Sequence, residues 1–377
     1  MCNKGARSNM TKGKEVINSK QFRDILICIM WPTTINYGSG ILAREVGHDM
    51  WISGIISLFT VLPFILIAIY IGQKFPNQTI VEYSQELLGG VFGKIMGVIL
   101  TVHFFLSASS SISMYIHHLS DFLLPQTPFL VVTIMHVFII CYLVWKGPEV
   151  IARTAVIAFK MAIIFYLIVF MASLSEIDIY RITPFFDSGV VPVLKSSLKG
   201  DTFVGISQIL IPMILPLVHE RKKVWSAAVS GLFIGGSLFV FYFVVELMVM
   251  GPHVVSLMRI ASMDFVRSIQ ITQYLHRFES FMVSLWYWSI MIQAGILSLC
   301  SVEAFKQTTG IKKKKPFIIV TFGLMMIIFT YYIGHDKVLF LKLRESVWQY
   351  ISLPIDFGVP LILFLTLIIK KIFSKAK

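Results

Sequence analysis

Charge is what this sequence has least of. Asp, Glu, Lys and Arg make up 14% of it, against about a quarter in an ordinary soluble domain. A chain of 377 residues so poor in charge lacks the material for a water-facing surface, which excludes most soluble enzymes. Acidic residues are the scarcer kind, 20 against 33 Lys and Arg, for a net charge of +13. Cysteines number four, Cys2, Cys28, Cys141 and Cys300. No pair of them has the setting of an exported disulfide and no spacing matches a metal site. There is no glycine-rich phosphate loop, no HExxH, no nucleophile elbow and no pair of carboxylates inside an apolar run. Neither an enzyme nor a metal or cofactor is expected.

Apolar residues fill the space, 56% of the chain, with a mean hydropathy of +0.79. They fall in ten stretches near 21–42, 51–71, 94–118, 128–145, 152–172, 203–218, 225–250, 278–304, 316–333 and 351–372. Each is long enough to cross ~30 Å of hydrocarbon. The expected protein is therefore all-α and integral to the membrane, with about ten transmembrane helices. Residues 1–20 form a basic N-terminus, 21–372 one transmembrane domain and 373–377 a basic tail. No signal-peptide cleavage site follows the first stretch.

A charge of +13 could mean nucleic acid, but the basic residues lie between apolar spans on alternate sides, so no nucleic-acid partner is expected. Of the 33 Lys and Arg, 22 fall on the side of the N-terminus and 10 on the other, with Lys160 inside a span. The positive-inside rule then places both termini in the cytoplasm. The lysines of Ile311-Lys312-Lys313-Lys314-Lys315 read as a topology anchor facing anionic lipid headgroups.

Two spans are irregular. The first contains Met30-Trp31-Pro32-Thr33-Thr34-Ile35-Asn36-Tyr37-Gly38-Ser39-Gly40, and the short sixth carries Gly205, Pro212 and Pro216. Proline removes a helix hydrogen bond and glycine weakens a helix. Freed backbone at membrane depth survives where it lines a protein cavity. Breaks at matching positions of two five-helix halves, 21–172 and 203–372, point to an inverted-repeat transporter fold with interrupted helices 1 and 6.

Polar groups inside spans are costly and need a reason. His103, Ser107, Ser110, Met114, His117 and His118 keep to one face of the third helix. They read either as a cavity wall or as serines bonded to their own backbone. Lys160 sits roughly 12 Å into the fifth span. It either snorkels to the interface, or carries a proton or fills an ion position. Gln208 and Gln293 lie mid-span, as ligand contacts or interhelical bonds. Glu246 and Glu303 read as interfacial, and His136 as a packing residue with its hydrogen bonds made.

Short motifs then line up in order. Gly47-His48-Asp49-Met50-Trp51-Ile52-Ser53 precedes the second helix; Ile80-Val81-Glu82-Tyr83-Ser84-Gln85 through Gly93-Lys94 follows it. Phe122-Leu123-Leu124 with Thr127-Pro128, Lys146-Gly147 through Arg153, and Arg277-Phe278-Glu279-Ser280-Phe281 with Trp286 come next. This series resembles the B subunits of GerA-type spore germinant receptors, within the amino acid/polyamine/organocation transporter superfamily.

The resemblance implies a LeuT-like 5+5 bundle in the spore inner membrane. It implies assembly with A and C subunits and binding of a small nutrient among helices 1, 3, 6 and 8. Carried over residue by residue, it puts His103, Ser107 and either Ile292 or Gln293 at the ligand. Backbone at Thr33, Thr34, Gly205 and Ser207, with the Gln208 side chain beside it, would complete the pocket. Pro32-Thr33-Thr34 stands where the family's glycine-rich break is expected. Lys160 resembles the lysine that replaces sodium in some proton-coupled members. Two alternatives stay open on residues alone: a proton-coupled amino acid or amine transporter, and a water or ion conduit.

Overall fold

The protein is described by a computed structural model over residues 17–34, 38–258, 261–269, 278–311 and 315–375; the side chains of 33–34, 201–204, 278–279, 281, 345 and 375 lie outside the description. Its elements are helical, in the order α1 (Ser19–Thr34), α2 (Gly38–Val46), α3 (Met50–Lys74), α4 (Ile80–Leu88), α5 (Gly90–Phe122), α6 (Phe129–Lys146) and α7 (Pro148–Ser173). Then come α8 (Val190–Val204), α9 (Ile206–Ile214), α10 (Val224–Met250), α11 (Pro252–Leu257), α12 (Ala261–Ser268), α13 (Phe278–Thr309), α14 (Lys315–Phe329), α15 (Lys337–Lys342) and α16 (Trp348–Lys375). In hydrocarbon only a helix satisfies its own backbone within one segment, so apolar runs of this length have no other open-chain solution.

Among the described residues, eight helical segments are long and apolar enough to span a membrane. The pieces that fall short are α1 and the pair α8 and α9, which belong to the interrupted first and sixth spans. Taken with these pieces, the described residues account for the ten expected spans, and the chain is an integral membrane protein. In the first span α1 is described to Thr34 and α2 from Gly38, and the residues expected at its break, 35–37, lie outside the described residues; Pro32 inside α1 has no N–H to return to the Cys28 carbonyl.

The sixth span is longer than expected. Val190–Val204 is helical, so the connection between the expected spans 152–172 and 203–218 is shorter. The break at Gly205 is slight: its dihedrals stay helical (φ −61°, ψ −35°), and the Gln208 amide donates to the Gly205 carbonyl at 2.9 Å. The segment after the second span is likewise a helix, α4. Thr79 and Glu82 form a reciprocal capping box, with Thr79 N–H donating to Glu82 Oε2 at 2.9 Å. The T-x-x-E spacing is a known helix-start signal.

Of these eight segments α13 is the most buried, with 83% of its apolar window inside the protein. It packs against α5, α7, α1 and α6, while α1 also lies on α10. The end of the bundle where α1 begins is here called the basic end. Two backbone bonds tie the chain there to the connection after α9, Ile17 N–H to Leu217 O (3.2 Å) and His219 N–H to Ile17 O (3.0 Å). Ser19 donates its hydroxyl to Glu220, and Lys223 approaches Glu220 at 2.6 Å. The Lys223 ammonium first, then Ser19, hold the Glu220 carboxyl down at about 2.

The motif residues that fall in the described part are structural. Buried Asp49 accepts from Phe186 N–H (2.6 Å), Ser188 N–H (3.1 Å) and Ser188 Oγ (2.7 Å), fastening the loop before α8 to the start of α3. Trp51 meets Phe185 edge-on at 5.7 Å. Tyr83 is buried and stacks on Phe75 at 5.3 Å. Trp286 is fully buried beside Tyr115 (5.6 Å) and His118 (5.0 Å). Arg277 lies outside the described residues, as do the side chains of Phe278 and Glu279.

Candidate functional site

Four spans line one small interior cavity, and three of them bring polar side chains to it. The third supplies His103, Ser107, Ser110 and Ser111, the sixth Ile206, the eighth Gln293 and Leu297, and the turn into the tenth Arg344, Trp348 and Asp356. His103 Nε2 is 3.1 Å from Asp356 Oδ1, and neither side chain is more than 2% exposed. The ring N–H serves the carboxylate, which leaves Nδ1 as an acceptor with no donor among the described residues. The imidazole lies flat against Trp348, 5.5 Å between centroids at 7°. Arg344 donates to Ser110 Oγ at 2.8 Å. A half-buried guanidinium, a buried carboxylate, an imidazole and an amide thus converge on one place.

Local chain chemistry positions these groups. Arg344 rides on a wide π-helical turn, Leu343–Val347, between α15 and α16; such turns re-aim a side chain within a helix. In α16, Pro354 and Pro360 each leave a carbonyl one turn back without its helix donor. Asp356 lies between them. On α5 the serines mostly bond their own helix, Ser107 to His103 O (2.7 Å) and Ser111 to Ser107 O (2.9 Å). Ser110 instead accepts from Arg344. The Gln293 amide donates to Ile29 O at 2.8 Å, joining the eighth span to α1 near its end.

The cavity measures about 30 Å³, room for one or two waters. Any larger ligand has to spread the helices that line it.

The other expected site residues are placed around this centre. Ile292, Ser207 and Gln208 are fully buried, and the lining of the cavity does not include them. The Gln208 amide has no partner for its nitrogen or its oxygen among the described residues. A bare buried amide of this kind costs about 1–3 kcal/mol per group, so water or ligand is favoured beside it. Gly205 adjoins Ile206 of the lining. The side chains of Thr33 and Thr34 lie outside the description.

Of the two readings of Lys160, the structure matches the snorkelling one. Its side chain is on the exposed face of α7, the position of a snorkelling lysine. Helix rotation decides this: around Lys160 it is Ala155, Ala158 and Ala162 that turn inward.

Three residues of the site were not anticipated. Asp356 sits inside the tenth apolar run, where the cost of an intramembrane charge already marked it. Arg344 and Trp348 looked like loop residues, and no local pattern brings them to His103. Glu246, expected at the interface, is fully buried. It accepts from Ser39 Oγ at 3.1 Å, Ser39 lies 3.3 Å from Ser262 Oγ, and Tyr242 donates to Ser262 O at 2.8 Å. Glu303 is also buried, in an ion pair with Lys306 at 2.9 Å. His136 reads as expected, with Nδ1 2.6 Å from Val132 O.

A family model described as spore germination protein matches residues 16–338. The chain belongs to this spore permease family. Spore germination protein YndE of Bacillus subtilis is 25% identical over 286 residues, 74% of this chain and 76% of its own. Spore germination protein A2 of the same organism is 24% identical, covering 86% of this chain and 87% of its own. Spore germination protein KB is 24% identical, covering 86% and 88%.

Among solved structures, MhsT in complex with L-phenylalanine superposes with a TM-score of 0.59 at 16% identity, covering 96% of this chain and all of that one. A manganese transporter of Eremococcus coleocola gives 0.56 at 13% identity, covering 96% and 81%. A substrate-bound sodium-coupled sialic acid symporter gives 0.55 at 13% identity, covering 95% and 81%. These likenesses establish the LeuT-type transporter fold for this spore permease.

Proposed function

We propose that this spore permease is the ligand-sensing membrane subunit of a germinant receptor and binds a small zwitterionic nutrient at the interior polar cavity. The observation that carries the reading is the convergence of Arg344, Asp356, His103 and Gln293 on a space smaller than any nutrient. Guanidinium donors match a carboxylate in a planar fork. The Asp356 carboxylate, backed by His103, matches an ammonium group. Ser107 and Gln293 shape the remainder, and the unpartnered Gln208 amide with Gly205, Ser207, Ile292 and the Thr33–Thr34 backbone extends it toward the two helix breaks.

A ligand shifts a protein between states only by binding one of them better. Here the closed state has no room for it, so occupancy and helix movement are a single event. Gln293 is bonded to Ile29 of α1, and the start of α1 is tied to the connection after α9. Spreading the site therefore pulls on the basic end, where partner subunits of A and C type would read it. This reading places the protein in the spore inner membrane with both termini in the cytoplasm. The relatives' shared description as spore germination proteins supports it.

The transporter fold supports a second reading, proton-coupled uptake of the same class of solute, since fold alone does not decide function. One experiment separates them. Spores lacking this gene are complemented with wild type, Arg344→Lys or Gln293→Ala over a nutrient panel, with protein abundance matched. The receptor reading expects loss of one nutrient response on deletion and a shifted dose dependence in both variants. Intact germination on deletion, with lost uptake of a solute in vesicles, overturns it in favour of transport.

A further inference from the structure

A second cavity lies apart from the polar site. It is a cleft of about 510 Å³ between α5, α13 and α14, within the ~300–1,000 Å³ range of small-molecule sites. Its walls include Val98, Val102, Phe105, Phe317, Phe322 and Met325. It opens on the outer surface of the bundle: Val98 is 53% exposed, Phe317 69% and Met325 48%. At membrane depth that surface faces lipid.

The chemistry of the walls selects the occupant. Four threonines line the cleft, and every hydroxyl donates to its own helix. Thr101 bonds Gly97 O (2.7 Å), Thr308 bonds Ala304 O (2.7 Å), Thr309 bonds Phe305 O (2.8 Å) and Thr321 bonds Phe317 O (2.9 Å). No donor is left for a polar ligand. The floor is closed by the approach of α5 to α13, where a Cβ on Gly97 would collide with Thr308 Oγ1. A partner helix does not suit the cleft either. Close helix contacts in membranes use small residues, and the rims here carry Phe105, Phe317 and Phe322. What fits a narrow, apolar, donor-free slot is a hydrocarbon chain.

The mouth selects the headgroup. Lys94, Val98, Val102 and Phe105 follow at intervals of four, four and three along α5, a single helix face. Lys315, Ile318, Phe322 and Met325 follow at three, four and three along α14. Each lining stripe therefore ends in a lysine at the basic end. Lys94 is exposed and Lys315 half-exposed, and neither has an ion-pair partner among the described residues.

We propose that this cleft is a specific site for an anionic phospholipid, with one acyl chain between α5, α13 and α14 and the phosphate-bearing headgroup held by Lys94 and Lys315. The site stands apart from the germinant reading and does not depend on it. Bound lipid would pack against α13, the helix that carries Gln293.

The test uses the full-length chain in phosphatidylcholine liposomes. These carry a trace of either phosphatidylglycerol or phosphatidylcholine bearing a photoactivatable diazirine on the acyl chain. Adducts are mapped by mass spectrometry. The expected result is labelling of 98–105 and 317–325 that favours the anionic lipid and weakens at high salt. Each lysine contributes roughly five-fold, so Lys94→Gln with Lys315→Gln brings the two lipids level. Val102→Trp, which fills the cleft, lowers labelling by both. Equal labelling by the two lipids in wild type overturns the proposal, as does an anionic preference that survives the double lysine variant. Cross-linking of these segments to a partner subunit's helix in the assembled complex overturns it in favour of a protein interface.

Discussion

Two replacements of Asp356 separate its structural role from its proposed role in recognition. Asp356→Ala removes the oxygen that His103 Nε2 meets at 3.1 Å, in a pair at most 2% exposed. The imidazole is then left with both ring nitrogens unserved, since Nδ1 already has no partner among the described residues. A buried donor stranded in this way costs about 1–3 kcal/mol, which lowers the melting temperature in detergent and the abundance in spores. Asp356→Asn keeps a side-chain oxygen for the same N–H and nearly the same volume, so its stability cost is small, roughly 1 kcal/mol or less.

The charge, however, is gone in the Asn variant. If the carboxylate receives the ammonium group of the nutrient, a charged hydrogen bond worth about 1.5–3 kcal/mol is lost. The dose giving half-maximal germination then rises by roughly 10- to 150-fold. The assay is loss of spore refractility against nutrient concentration, at matched abundance. An Asp356→Asn strain with wild-type dose dependence, beside an Asp356→Ala strain that is merely scarce, would refute a recognition role and leave Asp356 as a positioning residue for His103.

Other outcomes follow from the packing and the charges. Gly93→Ala puts a methyl group onto the Gln85 backbone, 2.8 Å from its nitrogen and into its Cα; with α4 and α5 forced apart, a loss of about 1–3 kcal/mol should show as reduced abundance on immunoblots. Asp49→Ala releases three hydrogen bonds to Phe186 and Ser188, and limited proteolysis should cut the loop around 183–189 faster than in Asp49→Asn. Lys160→Gln should leave germination unchanged, because its side chain is on the exposed face of α7; lost activity at normal abundance would restore the ion-substitute role. The Glu220 carboxyl is held down at about 2, below its ordinary value near 4.5, so its tie to Ser19 and Lys223 is fully present above about pH 4.5 and is lost as pH falls toward 2. Glu220→Ala should reproduce the loss at neutral pH, seen as faster hydrogen exchange at the Ile17 and His219 amides.

What the sequence determined by itself is the part of the free energy that is local. Apolar runs longer than the bilayer is thick must become helices, and Pro32, Gly205 and Pro212 mark where two of them weaken. The stripe of His103, Ser107 and Ser110 turned inward because its spacing defines one helix face. Other local signals were present but not used: the Thr79–Glu82 capping box marks the start of α4, and Asp356 bore the same intramembrane cost as Lys160.

Only the tertiary structure decided which polar groups meet. His103 and Asp356 are 253 residues apart in the chain, and Gln293 and Ile29 are 264 apart. No periodicity links such partners, because their pairing depends on how α5 meets α16 and α13 meets α1. The fate of the lone charges was decided there too. Lys160 and Glu246 look alike in sequence, each a single ionisable residue in a long apolar span. The rotation of α7 turned Lys160 outward, and the packing of α10 against α2 and α12 enclosed Glu246 beside Ser39. A hydropathy pattern fixes how deep a side chain lies in the bilayer; the azimuth of its helix, set by neighbours far away in the chain, fixes whether it meets lipid or protein.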